Sequence, residues 1–238
     1  MRLKLILLIS LSIGILLSSN AIAQKKEKKS PPKKSSSSGT KPSPTASAYF
    51  IGGFSGVTYK GDLSNRHSDW TPEVSAGILK EGSGRVSFML QFGAGNVIGE
   101  DRGYIFAETA TPNKFFSTNY YKAWGELVIN IWRISSIKLF SSAGLGVMKF
   151  TPENEKGEPL IDDLSTRPKE EIYGANMFFF PLSIGTIFYL PNGFAVNLSA
   201  SYIFNGNDYI DNVGEWGATA GKDKLITVSF KILVPPGK

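Results

Sequence analysis

The sequence contains no cysteine and one histidine, His67, and no long apolar run follows residue 23. The absence of cysteine excludes disulfides, thiolate metal sites and a lipid anchor on cysteine. A transmembrane helix needs about 20 consecutive apolar residues, so none is expected after residue 23. An exported chain with these absences is periplasmic, secreted or a β-barrel.

The first 23 residues have the pattern of a secretory signal peptide. Arg2 and Lys4 precede an apolar segment from Leu5 to Leu17, and Ala21-Ile22-Ala23 provides a small-residue cleavage site. Cleavage is therefore expected before Gln24. An N-terminal membrane helix is the alternative, but the apolar run is short for one.

The positive charge of the chain is concentrated near its start. Residues 24–48 hold seven lysines and one acid, whereas residues 49–238 hold 17 basic and 19 acidic side chains. This Lys/Ser/Pro-rich linker has no aromatic residue, and its composition predicts disorder. It is either a solvated spacer or a contact for anionic lipid or another polyanion. Nucleic acid is not expected as a partner of an exported protein.

Residues 49–238 predict eight β-strands with a period-two alternation of apolar and polar residues. Val86, Phe88 and Phe92 alternate with Ser87, Met89 and Gln91, for example. The predicted segments are Tyr49–Tyr59, Thr71–Lys80, Arg85–Val97, Phe116–Ile131, Ile137–Phe150, Tyr173–Leu190, Phe194–Phe204 and Lys224–Val234. The faces of the first segment cannot be assigned from its glycine-rich sequence.

The connections between these segments alternate in length. Residues 60–70, 98–114, 151–172 and 205–223 form long connections, and residues 81–84, 132–136 and 191–193 form short ones. This alternation is typical of an all-β, eight-stranded, antiparallel up-and-down transmembrane β-barrel. The even strand count places both termini at the periplasmic end and the long loops outside the cell.

The polar positions of the strands predict the interior of the barrel. They carry small residues together with a few larger polar or charged groups: Gln91, Lys122, Glu126, Asn130, Lys138, Asn197 and Lys231. In a small membrane barrel these side chains fill the lumen, where charges must be paired. Aromatic residues near the strand ends are interpreted as interfacial girdles: Tyr49, Phe50, Tyr59, Tyr120, Tyr121, Trp124, Trp132, Phe178, Phe179, Tyr189 and Phe204.

Two short motifs carry a resemblance to a family. The run from Gly53 to Leu63 includes Tyr59-Lys60-Gly61-Asp62-Leu63, and the run Asn207 to Val213 precedes Asp223-Lys224. Both resemble small OmpA/OmpX-like outer-membrane barrels of the Bacteroidota type, whose first strand leads into a Tyr-x-Gly-Asp-Leu loop. The resemblance implies outer-membrane location and no general enzymatic activity.

Few residues have the arrangement that catalysis or metal binding requires. His67 has Ser64 and Ser68 nearby, but a nucleophilic serine also needs an oriented third group. Asp162-Asp163 and Glu170-Glu171 belong to an acidic loop whose spacing matches no calcium motif. No catalytic, cofactor-binding or metal-binding residue is therefore predicted, and no cofactor is expected.

The leading hypothesis is a non-enzymatic outer-membrane barrel with a structural or interaction role. Its partners would be outer-membrane lipid and envelope proteins that contact the long loops. Two alternatives remain open at this point: an outer-membrane enzyme that modifies lipids with His67 as its base, and a soluble periplasmic barrel that binds a small apolar ligand.

Overall fold

The computed structural model describes residues 47–64, 67–82, 84–103, 113–164, 174–214, 217 and 222–237. The predicted signal peptide, and the predicted linker up to residue 46, lie outside these residues. The strands are β1 (Ala48–Lys60), β2 (Trp70–Lys80), β3 (Val86–Glu100), β4 (Phe115–Ile134), β5 (Ile137–Glu153), β6 (Asn176–Tyr189), β7 (Ala195–Asn205) and β8 (Lys224–Val234). None of the described residues belongs to a helix long and apolar enough to cross a membrane.

The eight strands form a closed antiparallel barrel. Each strand pairs with the next along the chain, and β1 also pairs with β8 from Phe50 opposite Val234 to Lys60 opposite Lys224. Closure leaves no unpaired sheet edge, which is the condition for a β-structure to exist in a lipid bilayer. The predicted strand number, order and antiparallel arrangement are confirmed.

The two ends of the barrel differ as the connection lengths predict. The short-turn end contains the start of β1, the end of β8 and the three short connections, and the long-loop end contains the four others. At the turn between β6 and β7, Gly193 has a φ of 88°, a conformation that glycine adopts without a steric penalty. The predicted short connection over residues 191–193 thus contains a turn that suits glycine.

The β4–β5 hairpin is one place where the predicted strand bounds differ from the structure. The sequence predicts a connection over residues 132–136, but β4 continues to Ile134 and β5 begins at Ile137. The pairing between these strands shifts between Asn130 and Trp132, so Ile131 has no pairing partner on β5. This bulge interrupts the alternation that sequence reading relies on, because it inserts one extra residue into one strand.

The outer wall of the barrel is an apolar band. Large apolar side chains are exposed on every strand: they include Phe50, Phe54, Val74, Ile78, Phe88, Phe92, Leu127, Ile129, Leu145, Val147, Phe180, Leu182, Leu198, Val228, Phe230 and Ile232. The structure also assigns the two faces of β1, which the sequence leaves open. Phe50 and Phe54 point outward, and Val57 and Tyr59 point into the lumen. A closed barrel with this exterior and a polar interior is a transmembrane barrel.

The lumen is filled by side chains in three layers. An apolar cluster at the short-turn end includes Tyr49, Leu79, Phe140 and Leu233. A second cluster at the long-loop end includes Tyr59, Tyr120, Phe150, Phe179 and Leu225. Between them lies a belt of polar and charged side chains. The predicted inward position of Gln91, Lys122, Glu126, Asn197 and Lys231 is confirmed, whereas the two apolar layers are not predicted.

Candidate functional site

The polar belt contains a buried ion pair between β2 and β4, which are separated by β3. Lys122 Nζ on β4 lies 2.6 Å from Glu73 Oε2 on β2, and both side chains are 2% exposed. Tyr120 Oη donates a hydrogen bond of 2.6 Å to the same carboxylate oxygen. The pair therefore satisfies, inside the lumen, charges that would be costly if either were alone.

A second buried carboxylate, Glu126, accepts hydrogen bonds from four strands. Gln91 Nε2 and Trp124 Nε1 each donate to Oε2 at 3.0 Å. Ser142 and Ser183 donate to Oε1 at 2.8 and 2.9 Å. Lys231 Nζ donates to Gln91 Oε1 at 2.5 Å, which extends the hydrogen-bonded belt to β8.

The remaining space in this belt is about 20 Å³. A void of that size holds about one water molecule. Glu73, Lys122, Glu126 and Lys231 line it, so two carboxylates face two ammonium groups. At this level the described side chains therefore pack the lumen.

The short-turn end is closed by another buried charge pair. Lys138 Nζ on β5 lies 2.9 and 3.0 Å from the two carboxylate oxygens of Glu81, which belongs to the turn after β2. Tyr189 Oη also donates to Glu81 Oε1 at 2.7 Å. Sequence analysis predicts that Lys138 points into the lumen, and the structure adds the partner from the turn.

The long-loop end is closed by a plug formed by residues 61–64, 159–163 and 206–214. Leu63, Leu160, Ile210 and Val213 are all buried, and they pack in the apolar cluster at this end of the barrel. Thr118 Oγ1 donates a short hydrogen bond to the Ile210 carbonyl, which fastens the last long loop to β4. Three of the four long connections therefore fold inward, at least in part.

Three side chains hold the plug to the wall. Tyr59 Oη lies 2.7 Å from Asp211 Oδ2 and 2.6 Å from Asp223 Oδ1, and all three side chains are buried. The N–H groups of Leu63 and Val213 donate to Asp211, and the N–H of Ile210 donates to Asp223. A tyrosine hydroxyl has one hydrogen, so it cannot donate to two ionised carboxylates at once. One of the two carboxyl groups must supply a second proton.

The acid groups of the plug have pKa values that agree with this geometry. Burial, with smaller contributions from the charges of Asp62 and Asp208, raises the pKa of Asp211 to about 7, although hydrogen bonds from Tyr59 and Val213 lower it. Burial and the neighbouring Asp211 raise the pKa of Asp223 well above its ordinary value. A proton is therefore retained between Asp211 and Asp223 at neutral pH.

The plug gives a physical reason for the Tyr-x-Gly-Asp-Leu motif. Tyr59 binds the two carboxyl groups, Leu63 fills the plug, and Asp62 is buried beside Gly217. A Cβ atom on Gly61 would collide with Tyr59 Oη and Asp223 Oδ1. Sequence analysis singles out these positions by resemblance but does not predict Asp211 and Asp223 as a pair. Alternation along a strand assigns faces and not partners, so it does not reveal that both aspartates contact Tyr59 Oη.

The structure does not assemble a catalytic triad around His67. Ser68 Oγ donates to Asp69 Oδ2 at 2.9 Å, and Nδ1 of His67 has no hydrogen-bond partner in the described part of the chain. Partial burial, together with the charges of Lys60 and Lys224, lowers the pKa of His67 below its ordinary value. The imidazole is thus neutral at neutral pH, and among the described residues no hydrogen bond joins it to a serine or a carboxylate.

The acidic third loop does not form a metal site in its described part. Asp162 is exposed, Glu158 accepts a hydrogen bond from Asn154, and Glu155 pairs with Arg102 at 3.0 Å. Glu170 and Glu171 lie outside the described residues. No group of three or more potential metal ligands occurs among the residues that the structure describes.

The interpretation of the aromatic residues as interfacial girdles is wrong for six of the eleven. These six side chains are buried and point into the barrel: Tyr49, Tyr59, Tyr120, Trp124, Phe179 and Tyr189. Their position near strand ends misled the interpretation because closeness to an end does not determine the face. The other five of the eleven are exposed on the outer wall: Phe50, Tyr121, Trp132, Phe178 and Phe204.

Several solved structures of small barrels are similar to this chain. Neisserial surface protein A covers 79% of this chain and 97% of its own, with 10% identity and a TM-score of 0.49. Ail, the attachment invasion locus protein of Yersinia pestis, in complex with the heparin analogue sucrose octasulfate, covers 78% of this chain and 96% of its own, with 14% identity and a TM-score of 0.45. The outer membrane enzyme PagL covers 78% and 99%, with 14% identity and a TM-score of 0.37.

Neither a family model nor a curated protein sequence matches the chain. The similar structures include both an enzyme and proteins that are not described as enzymes, so they do not assign an activity. The fold of this chain is established by its own closed strand pairing.

Proposed function

We propose that the protein is a non-enzymatic β-barrel of the outer membrane that is closed to passage and acts at its long-loop end. The observation that carries this proposal is the filled lumen. Ion pairs and apolar clusters occupy the interior from Glu81 at the short-turn end to the plug at the other. What remains available for recognition is the exterior, above all the loop surfaces.

The export signal and the strand count support one orientation. We infer that the basic linker and the short turns face the periplasm and that the long loops face outward. The linker would then be placed to contact a polyanion or an envelope protein, and membership of the Bacteroidota-type barrels would fit the Tyr-x-Gly-Asp-Leu motif. The long loops would contact partners outside the cell.

Two alternatives receive less support from the geometry. Lipid modification by His67 would require a serine nucleophile and an oriented acid, and among the described residues no hydrogen bond joins His67 to either. Binding of a small apolar ligand in the lumen would require far more space than about 20 Å³. An apolar exterior is also a poor match for a soluble barrel, because water would contact that whole band.

Surface proteolysis of intact cells tests the proposed orientation. Trypsin should cleave beside exposed basic residues of the long-loop end, such as Arg102, Lys156 and Lys222. Lys80 and Arg133 are the matched controls, because they are equally exposed but lie at the short-turn end. Fragments mapped by mass spectrometry would contradict the proposal if they ended at Lys80 or Arg133 before the cells were lysed.

The absence of enzymatic activity has a separate test. His67→Ala and wild-type protein are expressed in cells that lack the gene, and outer-membrane lipids are compared by mass spectrometry. Both strains should have the lipid profile of the empty strain. A lipid change that requires the protein and is lost with His67→Ala, but not with the exposed-loop control Asp162→Ala, would establish the enzymatic alternative.

A further inference from the structure

Two lysines lie opposite each other on the outer wall at the long-loop end. Lys60, the last residue of β1, is directly paired in register with Lys224, the first residue of β8. Their neighbours Tyr59 and Leu225 point into the lumen, so both lysines are on the outward face. Like charges in directly opposed positions destabilise a sheet. The fold alone therefore gives no reason for this pair.

No carboxylate neutralises these lysines in the described part of the chain. Neither Lys60 nor Lys224 has an ion-pair partner there. Burial and the charges of Lys60 and Lys224 lower the pKa of the nearby His67, so its imidazole is neutral and the two lysines carry the positive charge here.

An apolar groove of about 510 Å³ lies on the same outer wall, on the membrane side of the lysine pair. Its lining includes Phe54, Gly56, Trp70, Pro72, Val228 and Phe230. A second groove of about 410 Å³, beside Ala200 and Ile226, lies on the adjacent part of the wall. Lys60 lies four positions from Gly56, which corresponds to about 13 Å along the strand.

We propose that this surface binds an outer-leaflet lipid with a phosphorylated headgroup. The Lys60–Lys224 pair holds the phosphate, and the groove beneath it holds an acyl chain. Charge complementarity supports this occupant, because a phosphate oxyanion offsets the repulsion between the lysines. The site rests on the outer-membrane location and orientation proposed above, but not on the absence of enzymatic activity.

Another groove on the outer wall provides an internal comparison. It has a volume of about 570 Å³, and Lys149 is near Tyr121 and Phe178 in its lining. Lys149 is also exposed on the outer wall near the long-loop end of its strand. It lacks a second lysine opposite, since its register partners are Tyr121 and Asn176. Lys149 is therefore the matched control for a charge effect that does not depend on the pair.

The test uses the purified protein in detergent micelles and native mass spectrometry of bound lipid. The probes are lipid A with two phosphates, the same lipid after removal of both phosphates, phosphatidylcholine and inorganic phosphate. The variants are K60Q/K224Q, K60R/K224R and K149Q, each checked for folding by heat-modifiable migration. Because the measured mass distinguishes intact from cleaved lipid, turnover would contradict the proposed function without affecting the binding result.

Phosphorylated lipid A should bind wild type more tightly than either control lipid. K60Q/K224Q should weaken that binding about thirtyfold, since each lysine near an anionic lipid surface contributes about a factor of five. K60R/K224R should retain it, and K149Q should change it less than threefold. Equal affinity for dephosphorylated lipid A, or an equal loss in K149Q, would overturn the proposal. Binding of inorganic phosphate as tightly as of the lipid would overturn the role of the groove.

Discussion

Lys122 Nζ and Glu73 Oε2 lie 2.6 Å apart inside the barrel, on strands β4 and β2, which are not neighbours in the sheet. The contact therefore passes over the inner face of β3, the strand between them. Lys122 Nζ also lies 4.8 Å from the centre of the Trp124 ring, a distance at which a cation is attracted to an aromatic face. Lys122 therefore takes part both in the ion pair with Glu73 and in the packing of the Trp124 ring.

Glu73→Gln should destabilise the barrel by about 3–5 kcal/mol, because Lys122 loses its partner while it remains buried. The free energy of unfolding is measured by urea titration of the protein in detergent micelles. Glu100→Gln is the control, since Glu100 pairs with Arg102 on the exposed surface and should change stability by less than about 1 kcal/mol. A double variant Glu73→Gln/Lys122→Met should be less destabilised than Glu73→Gln alone. Equal losses for Glu73→Gln and Glu100→Gln would contradict the importance of the buried pair.

The plug should be more stable in mild acid than in alkali. Burial raises the pKa of Asp211 from 3.8 to about 7 and raises the pKa of Asp223 as well. The folded plug therefore binds more protons than an opened plug above pH 4, and its stability falls as the pH rises through 7. Hydrogen exchange of the buried Ile210 and Val213 amides, corrected for intrinsic rates, should show stronger protection at pH 5 than at pH 8.

Asp223→Asn should reduce this pH dependence. An asparagine amide can donate to Tyr59 Oη while its carbonyl accepts from the Ile210 N–H, so no shared proton is needed. Asp162→Asn is the control, because Asp162 is exposed on a loop. The assignment of the proton to the Asp211–Asp223 pair fails if protection in Asp223→Asn varies with pH as much as in wild type.

Local alternation predicts the wall of this barrel far better than its interior contacts. Val86, Phe88 and Phe92 face outward as their spacing predicts, and Lys122, Glu126, Lys138 and Lys231 face inward. Alternation determines a face because successive side chains in a strand point to opposite sides. It does not determine partners: Tyr59 and Asp223 are 164 positions apart, and only closure of the barrel brings them together. The bulge at Ile131 shows a second limit of sequence reading. It shifts the apolar–polar alternation of β4, and no clear sequence pattern marks its position.

Arginine on the outer wall should reduce stability in a depth-dependent manner. Leu127 is exposed near the middle of the apolar band, and Tyr121 is exposed six residues nearer the long-loop end of the same strand. Leu127→Arg should cost about 2–4 kcal/mol and Tyr121→Arg about 0–1 kcal/mol, because charge is least tolerated at the bilayer midplane. Unfolding titrations in phospholipid vesicles measure both. Similar losses at the two positions would be inconsistent with the proposed membrane band.

Tryptophan quenching distinguishes the corrected positions of the aromatic residues. Trp124 is buried in the lumen, where its Nε1 donates to Glu126, whereas Trp132 is exposed on the outer wall. Single-tryptophan variants, with the other three replaced by phenylalanine, are folded into bilayers that contain brominated phospholipid. The variant that retains Trp132 should be strongly quenched because bromine on an acyl chain can contact it. The variant that retains Trp124 should be only weakly quenched, because the barrel wall separates its ring from lipid. Equal quenching of the two variants would indicate that Trp124 contacts lipid, as a residue of an interfacial girdle does. That result would contradict its position beside Glu126 and Lys122.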